Sequence, residues 1–396
     1  MRSICLILLA AAAWAAAAAA EPATPTTLPQ AGADAVDAKH LAKAQADINE
    51  GLTCLLKQRN ADGGWGFAPG RSHPALTAMV LKVLAQHPDY GIESPAVVKG
   101  FASLMKFRQP DGGFYDPGEG NANYITSVAV MALAAAKDPR QRDALDGAVR
   151  FLRGQQIVPG AKAPTGETVT DKHPYVGGVS YGEQGRPDLS NVGFWMEALH
   201  EAGVSGDDPA VQRALAFVKR LQNRTEGTAG QAFVVRGADD GGFVYAVRRQ
   251  GESFVGESKA GSDHRGLRSY GTMTYTGFKS LLYANVGRND PRVRAAYDWI
   301  RKYWRLDTNP NMPAARSRQG LYYYYHVFAK ALRAWGQDVI PAGGEKHNWR
   351  HELIDALHDQ QKADGSWINT ADRWMETNPT LVTCYAVLAL QEALKK

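Results

Sequence analysis

The chain has 396 residues, of which 44% are hydrophobic and 21% charged, and its formal net charge at pH 7 is +5. This length can hold one large domain or two ordinary ones. The net charge is small and no basic run appears, so we exclude nucleic acid as an expected partner.

The N-terminal residues 1–20 have the pattern of a secretory signal peptide. Arg2 precedes an apolar run, 4–20, that ends in consecutive alanines. Small residues at the end of such a run favour cleavage. A membrane anchor is the alternative, but the run is short for a spanning helix. Residues 21–36, rich in Pro, Thr and Ala, predict a flexible linker. We therefore expect an exported, soluble mature protein, periplasmic or extracellular, with no membrane span.

A short loop of sequence Asp-Gly-Gly-aromatic recurs along the rest of the chain. Together with weaker copies it marks about six units of roughly 45 to 80 residues, a period typical of repeat architectures. We therefore predict one repeat domain over residues 37–396. The clear copies are at 62–65, 111–114 and 240–243, a Ser-containing copy is at 364–367, and weaker copies are at 177–179 and 320–322.

Two kinds of helix are predicted around these loops. Segments before a loop, such as 141–153 and 211–221, carry apolar residues on one face only. Segments after a loop, such as 125–136 and 379–394, are apolar nearly all round. A helix with one apolar face lies at the surface, and one that is apolar all round is buried. The pattern predicts an all-α fold, an (α/α)6 toroid of about six hairpins in two concentric rings. An open solenoid is the alternative.

The loop residues have a structural interpretation. Glycine tolerates positive φ at a tight reversal, and Asp bonds nearby backbone amides. The aromatic ring is expected to pack over the reversal, while a preceding Gln ends the outer helix and bonds the next loop. Carbohydrate binding by exposed loop aromatics is the alternative. These glutamines are Gln58, Gln109, Gln222 and Gln361.

The repeat resembles that of a known superfamily. Residues 361–367 match the Gln-x-x-x-Gly-x-Trp repeat of squalene-hopene and oxidosqualene cyclases, and the similarity extends over about residues 40–394. The chain is similar to the prenyltransferase and squalene-oxidase repeat superfamily, in particular to its short exported bacterial members. Segments 269–275 and 322–326 also resemble segments of those members. The resemblance implies an α/α toroid and a hydrophobic, isoprenoid-like ligand.

Two departures from that superfamily bear on chemistry. The cyclases protonate an alkene with an Asp-x-Asp-Asp-Thr motif at the start of an inner helix, and the segment nearest by position, 273–276, carries no carboxylate. Prenyltransferase β-subunits bind zinc through Asp, Cys and His, and here Val382 stands two residues before Cys384 where an Asp is needed. We therefore predict no metal site and no cofactor, and leave open whether the protein is an enzyme.

Candidate ligand-binding residues lie at inner-helix starts and in one long loop. The long loop 223–269 is predicted to contain a β-hairpin formed by 232–235 and 243–247. This hairpin either covers the mouth of the barrel or lies on its outer surface. Tyr275, Tyr322 and His326 are predicted to face a central cavity, although core packing is the alternative for the tyrosines. The remaining candidates are Trp195, Glu197, Asp263, His264, Tyr270, Trp374 and Glu376.

Three function classes stay open at this point. We expect the protein to bind an isoprenoid-like hydrophobic small molecule in an aromatic cavity, and whether it also transforms this ligand is left open. The second class is a carbohydrate-binding or polysaccharide-cleaving toroid, in which Glu197, Asp263 and Glu376 would converge as paired acids. The third is a non-catalytic scaffold for another protein. A closed ring makes the helices of Cys54 and Cys384 neighbours, so the two cysteines either form a disulfide or pack as two buried thiols, and the sequence leaves this open.

Overall fold

The computed structural model describes residues 36–182, 185–225 and 238–396. The predicted signal peptide, nearly all of the predicted linker and residues 232–235 of the predicted hairpin lie outside these ranges. Within them, no helix combines the length and the hydropathy needed to cross a membrane.

The described residues form twelve α-helices that alternate between an outer and an inner position. The outer helices are α1 (Ala38–Lys57), α3 (Pro95–Met105), α5 (Arg142–Gly154), α7 (Pro209–Arg220), α9 (Pro291–Lys302) and α11 (Trp349–His358). The inner helices are α2 (Pro74–Ala85), α4 (Ala122–Ala136), α6 (Leu189–Glu201), α8 (Gly271–Tyr283), α10 (Leu321–Trp335) and α12 (Pro379–Leu394).

Short polar residues and prolines define the helix starts. Asp208 and Asp290 each accept a hydrogen bond from the backbone two residues on, and a proline follows each in the first helical position. Asn378 caps α12 in the same way, accepting from the amide of Leu381. Such caps satisfy amides that have no partner inside the helix, and proline at the first position lacks an amide to satisfy.

The inner helices form a closed ring. Each packs against the next in chain order, and the last, α12, packs against the first, α2. Each outer helix packs against the inner helix that precedes it around the ring, so α1 packs against α12, and α1 also contacts α11 across the closure. The fold is therefore the (α/α)6 toroid that the sequence predicts, and the open solenoid is wrong.

The repeated loops are structural. The residue Gly63 has φ +93°, and a Cβ there would lie 2.6 Å from the carbonyl oxygen of Lys99 on the next outer helix. The neighbouring Trp65 is fully buried, and its indole donates a 2.6 Å hydrogen bond to the carbonyl of Leu55. The loop aromatics Phe114, Phe243 and Trp367 are buried in the same way. Carbohydrate binding by exposed loop aromatics is therefore wrong.

The predicted role of the glutamines is confirmed at two loops. The side-chain amide of Gln222 donates to the carbonyl of Gly241 in the loop and to that of Arg292 on the next outer helix. Gln361 does the same with Gly365 and with Asp47 of α1. Each glutamine thus ties one loop to the neighbouring unit.

Three short antiparallel hairpins interrupt the helices. The first follows the loop of the fourth unit, where β1 begins three residues after Phe243 and pairs with a strand downstream of it. This pairing differs from the predicted hairpin, in which 243–247 pairs with 232–235. Residues 232–235 lie outside the described residues. The strands are β1 (Ala246–Gln250) with β2 (Ser253–Glu257), β3 (Ser262–Asp263) with β4 (Gly266–Leu267), and β5 (Val339–Ala342) with β6 (Glu345–Asn348).

Of the two alternatives for Cys54 and Cys384, the structure has the pair of buried thiols. Cys54 on α1 and Cys384 on α12 are both free and buried. The predicted adjacency of their helices is nevertheless correct, because α1 and α12 pack together. Burial raises the pKa of the Cys384 thiol, and the nearby Cys54 raises it further. Both side chains pack as small apolar groups.

Candidate ligand cavity

A cavity of about 320 Å³ opens at one end of the ring. Because every inner helix is followed by an antiparallel outer helix, the inner helices run parallel and their first turns meet at this end. The cavity is lined by residues from the first half of each inner helix and from the loops that precede them. Its volume is at the lower end of the range for small-molecule sites.

Aromatic side chains dominate the cavity wall. Four of the seven exposed large hydrophobic side chains of the described chain also line it, so its mouth is apolar. These four are Phe67, Tyr181, Trp374 and Met375, which are 36%, 41%, 39% and 51% exposed. The other aromatic lining residues are Tyr124, Phe194, Tyr245, Tyr270, Tyr323 and Tyr385.

Two of the residues at the cavity mouth have a strained backbone conformation. Trp374 and Met375 have φ of 53° and 62°, in the left-handed region that non-glycine residues rarely occupy. Each such residue costs on the order of 1–3 kcal/mol, and such residues concentrate at ligand-binding sites. The Trp374 ring packs over Gly320 at the start of α10, where a Cβ would lie 3.1 Å from it.

Glu376 is the single carboxylate among the described residues that line the cavity. It is 1% exposed and accepts a 2.8 Å hydrogen bond from the amide of Tyr323 and a 2.6 Å bond from the side chain of Asn369. Glu376 thereby caps α10, whose own N-cap residue, Gly320, has no side chain. Burial raises the pKa of Glu376 to about 7, although these hydrogen bonds oppose the rise.

Two further polar groups face the cavity. His73 caps α2 by accepting from the amide of Ala75, and its Nε2 lies 2.7 Å from Glu119. The other is Asn191, which donates from Nδ2 to Asp188 but whose buried Oδ1 has no hydrogen-bond partner. An unpaired buried acceptor costs about 1–3 kcal/mol. A hydroxyl or amide donor from a ligand would satisfy it.

The other half of the ring interior holds a buried ion cluster. His326 lies in the first half of α10, and the other members lie in the second half of their inner helices. All but one of the members are at most 4% exposed. Glu197 forms a short ion pair with Lys279, and its other oxygen lies 3.3 Å from Lys330 and 3.5 Å from His326. Burial alone would raise the pKa of Glu197, but the neighbouring lysines hold it well below its usual range. The cluster comprises Lys82, Glu197, Lys279, His326, Lys330 and Glu392, with the 18%-exposed Glu201 at its edge.

Comparison with known proteins agrees with this geometry. Residues 70–237 match the squalene-hopene cyclase C-terminal domain. A drimenyl diphosphate synthase of Streptomyces showdoensis is 37% identical over 101 residues, 25% of this chain and 19% of that protein. The type II terpene cyclase MstE from Scytonema, in its apo form, superposes with a TM-score of 0.54 at 15% identity, covering 89% of this chain and 99% of its own. A family 76 glycoside hydrolase from a bovine Bacteroides thetaiotaomicron strain gives a TM-score of 0.54 at 13% identity, covering 88% of this chain and 77% of its own.

The chain is similar to the squalene-cyclase-like superfamily over part of its length. It spans about a fifth of the length of the curated relatives it matches, 19% for each of two drimenyl diphosphate synthases. The likeness to the solved structures is at low identity and establishes the fold alone.

Three of the candidate residues of this squalene-cyclase-like toroid line the cavity, namely Tyr270, Trp374 and Glu376. The prediction that Tyr275, Tyr322 and His326 face it is wrong. Tyr275 packs between α8 and α10, with its ring centroid 5.4 Å from that of Tyr324, and Tyr322 lies beside Tyr325 and Gln360. His326 is one turn deeper than the lining residue Tyr323 and joins the ion cluster.

The remaining candidates also lie away from the cavity lining. Trp195 is fully buried, and its indole donates a hydrogen bond to the carbonyl of Leu152. The loop tryptophans make the equivalent hydrogen bond in their own units. Glu197 belongs to the ion cluster, so it does not converge with Glu376. Asp263 accepts from the amide of Arg265 in the β3–β4 turn, which also contains the exposed His264.

Several residues of the cavity wall are not among those predicted from the sequence. Tyr124, Phe194, Tyr323 and Tyr385 all come from the first half of inner helices. The signal that could have found them is shared position, because parallel helices bring equivalent turns to one end of the ring. Composition could not separate them from Tyr275, which is one of the buried core aromatics.

Proposed function

We propose that this protein binds a small hydrophobic ligand of isoprenoid type in the central cavity. One observation carries the proposal: aromatic side chains line the cavity, and four of the exposed large hydrophobic residues gather at its mouth. A contiguous exposed apolar surface around a pocket is typical of a binding site rather than of an ordinary surface.

The relatives support this ligand class. The Streptomyces showdoensis relative is a drimenyl diphosphate synthase, and MstE has been solved with geranylgeranyl dihydroxybenzoate as substrate. In this chain the polar groups Glu376, Asn191 and His73 lie among the aromatics. A ligand with an apolar chain and one polar end would pair with the free Oδ1 of Asn191 while its chain contacts the aromatics.

A polysaccharide-cleaving function is the second candidate, favoured by the family 76 glycoside hydrolase that shares the fold. Paired-acid hydrolysis needs two carboxyl groups roughly 5–9.5 Å apart. Of the described residues that line the cavity, Glu376 alone carries a carboxyl group. The geometry therefore supports hydrophobic binding better than glycoside cleavage.

The proposal is tested by direct ligand binding. Purified protein is extracted with organic solvent, and mass spectrometry of the extract is expected to find a co-purified apolar lipid. Farnesol and geranylgeraniol are then titrated while intrinsic tryptophan fluorescence is followed, and oligosaccharides serve as the alternative ligand.

Mouth variants make the test specific. Trp374→Ala and Met375→Ala are expected to weaken prenyl-alcohol binding by about tenfold, since each removes roughly 1–2 kcal/mol of apolar contact. The matched control is Val339→Ala, because Val339 is 46% exposed but lies on β5 and not in the cavity lining. Equal binding by all three variants, or binding of oligosaccharides alone, would contradict the proposal.

A further inference from the structure

The polar side of the cavity is built on the first turn of α6. Ser190 and Asn191 line the cavity there, and Asp188 is the N-cap residue of the helix. Asp188 is 1% exposed and does not itself line the cavity. Its carboxylate accepts hydrogen bonds from the hydroxyl of Ser190 over 2.6 Å, from the backbone amide of Asn191 over 3.0 Å and from Nδ2 of Asn191 over 2.8 Å. A buried carboxylate therefore organises this side of the cavity.

These hydrogen bonds fix the orientation of the Asn191 side chain. An ionised carboxylate can only accept hydrogen bonds, so the amide nitrogen must be the atom that faces Asp188. The oxygen Oδ1 is then on the opposite side of the amide group, away from Asp188. It is buried and has no hydrogen-bond partner among the described residues. Because Asn191 lines the cavity and Asp188 does not, this acceptor is available to a molecule bound in the cavity.

Further unpaired polar atoms lie on the adjacent inner helix, α4, which packs against α6. Asn123 and Ser127 are one turn apart on this helix and fully buried. Of the seven buried side-chain atoms without a partner in the described part of the chain, four belong to Asn123, Ser127 and Asn191. All three residues lie in the first halves of their helices, at the end of the ring where the cavity opens. Protein interiors pair nearly all such atoms, so this concentration marks a place suited to a polar group of a ligand.

The local charge opposes an anionic ligand group. Burial and then the Asp188 carboxylate raise the pKa of Tyr245 and of Tyr270, and both tyrosines line the cavity. Arg373, exposed at the mouth, acts in the opposite direction on Tyr270, but its effect is smaller than that of Asp188. A charge that disfavours a tyrosinate at this wall also disfavours a phosphate or a carboxylate there, because like charges repel strongly where water is excluded.

Two cations beside this wall already have an anionic partner. The charged groups of Arg186 and Lys259 lie 5.4 Å and 4.4 Å from the ring centroid of Tyr245. Each also forms a 2.6 Å ion pair with Glu257, one with each carboxylate oxygen. Glu257 thus takes the position between the two cations that an anionic head group would need. The two cations are balanced by Glu257 and Asp188.

We propose that the head group of the cavity ligand is an uncharged hydrogen-bond donor, a hydroxyl group, which donates to Oδ1 of Asn191. This inference rests on the proposed function and specifies its ligand as a prenyl alcohol rather than a prenyl diphosphate or a prenyl acid. The aromatic wall contacts the apolar chain. Asp188 is the positioning residue, since its bonds to Asn191 hold the amide oxygen on the side away from the carboxylate.

Three ligands that share the farnesyl chain separate the properties of the head group. Farnesol can donate a hydrogen bond, farnesyl methyl ether keeps the oxygen without the donor proton, and farnesyl diphosphate is anionic. Dissociation constants are measured by tryptophan-fluorescence titration of the purified protein. Farnesol is expected to bind about threefold to tenfold more tightly than the ether, which corresponds to one net hydrogen bond. Farnesyl diphosphate is expected to bind more weakly than farnesol.

The variant Asn191→Leu removes the acceptor and keeps a side chain of similar size. Its affinity for farnesol is expected to fall to that for the ether, while its affinity for the ether stays near the wild-type value. The matched control is Ser127→Ala, which also removes an unpaired buried polar atom but from a residue outside the cavity lining. This control is expected to keep the wild-type preference for the alcohol. The comparison of the three ligands on the wild-type protein holds even if Asn191→Leu does not fold.

Three results would overturn this inference and leave the proposed function standing, because a prenyl chain would still be bound. The first is tighter binding of farnesyl diphosphate than of farnesol, and the second is equal binding of the alcohol and the ether by the wild type. The third is a folded Asn191→Leu protein that keeps the wild-type preference for the alcohol. Failure of all three farnesyl compounds to bind would instead overturn the proposed function together with this inference.

Discussion

Threonine hydroxyls near the start of four inner helices bind the loop that precedes them. Thr126 accepts a 2.9 Å hydrogen bond from the amide of Phe114 and donates to the carbonyl of the same residue. Thr77 makes the same pair of bonds with Trp65. The hydroxyl thus satisfies both backbone groups of an aromatic residue that is fully buried. The amides of Phe243 and Trp367 are bound by Thr274 and Thr383.

Thr126→Val is expected to lower the free energy of unfolding by about 1–3 kcal/mol. Valine keeps the volume of threonine but leaves the buried amide and carbonyl of Phe114 without a partner. The measurement is urea denaturation followed by circular dichroism. Thr126→Ser retains the hydroxyl and is the control, expected to lose less. If the two variants were equally destabilised, the hydroxyl would not be the cause.

Glu376 is expected to make stability depend on pH. Its folded-state pKa of about 7 is above the ordinary value of 4.5, so the folded state binds this proton more tightly than the unfolded chain does. Its contribution is therefore present at low pH and is lost as pH rises from about 4.5 to about 7. The full loss is up to about 3 kcal/mol.

The comparison that tests this is Glu376→Gln, which keeps an acceptor for the amide of Tyr323. Urea denaturation of both proteins at pH 5 and pH 8 gives four free energies of unfolding. The wild type should lose more stability between the two pH values than the variant does. A variant with the same pH dependence as the wild type would show that Glu376 is already ionised at pH 5.

At the scale of the helix, the inner elements divide into two halves with different roles. The first halves supply the cavity wall, and the second halves, together with His326 of α10, supply the ion cluster that closes the ring interior beneath it. Sequence patterns identify these helices as buried all round. They contain lysines and glutamates that the pattern does not explain, such as Lys82 and Glu392, which are each 1% exposed.

The ion cluster should show strong coupling between its members. Glu197→Leu is expected to cost about 3–5 kcal/mol, because it leaves Lys279 buried without its partner. The double variant with Lys279→Met should be less destabilised than this single variant. Thermal or urea unfolding of the two single variants and the double variant gives the coupling energy.

An exposed ion pair supplies the control for this cycle. Arg142 and Asp146 are 3.2 Å apart on α5 with side chains 76% and 50% exposed. Replacing Arg142 by Ala is expected to cost less than about 1 kcal/mol. Additive effects of the two cluster substitutions would contradict the coupled arrangement.

For the whole molecule, closure of the ring depends on contacts between its two ends. The side-chain amide of Gln391 on α12 donates a 2.9 Å hydrogen bond to the carbonyl of Val83 on α2. On the outer ring, Gln361 of the last unit bonds the carbonyl of Asp47 on α1. These bonds join residues about 300 positions apart and connect the last unit of the ring to the first.

We propose export, with the mature chain beginning near Glu21. The observation behind this is the apolar run that follows Arg2 and ends in alanines. Expression in a bacterial host with fractionation, followed by N-terminal sequencing of the exported protein, is the measurement. An exported form that still begins with Met1 would contradict the prediction, and so would retention of the full-length chain in the cytoplasm.

The sequence by itself determined the repeat, the two kinds of helix and the closed toroid. These features depend on local information, since the period of the apolar residues sets which face of a helix is buried. The same is true of Gly63, whose positive φ belongs to a tight reversal that glycine favours. Cavity residues were identified only in part, as Tyr270, Trp374 and Glu376.

Tertiary structure alone decided which buried aromatics line the cavity and which fill the core. Tyr323 and Tyr324 are neighbours in the chain, yet the first lines the cavity and the second packs against Tyr275. Adjacent residues on a helix point about 100° apart, so the orientation of α10 within the ring decides between these roles. The ion cluster likewise joins residues from different helices, which no spacing along the chain can place together.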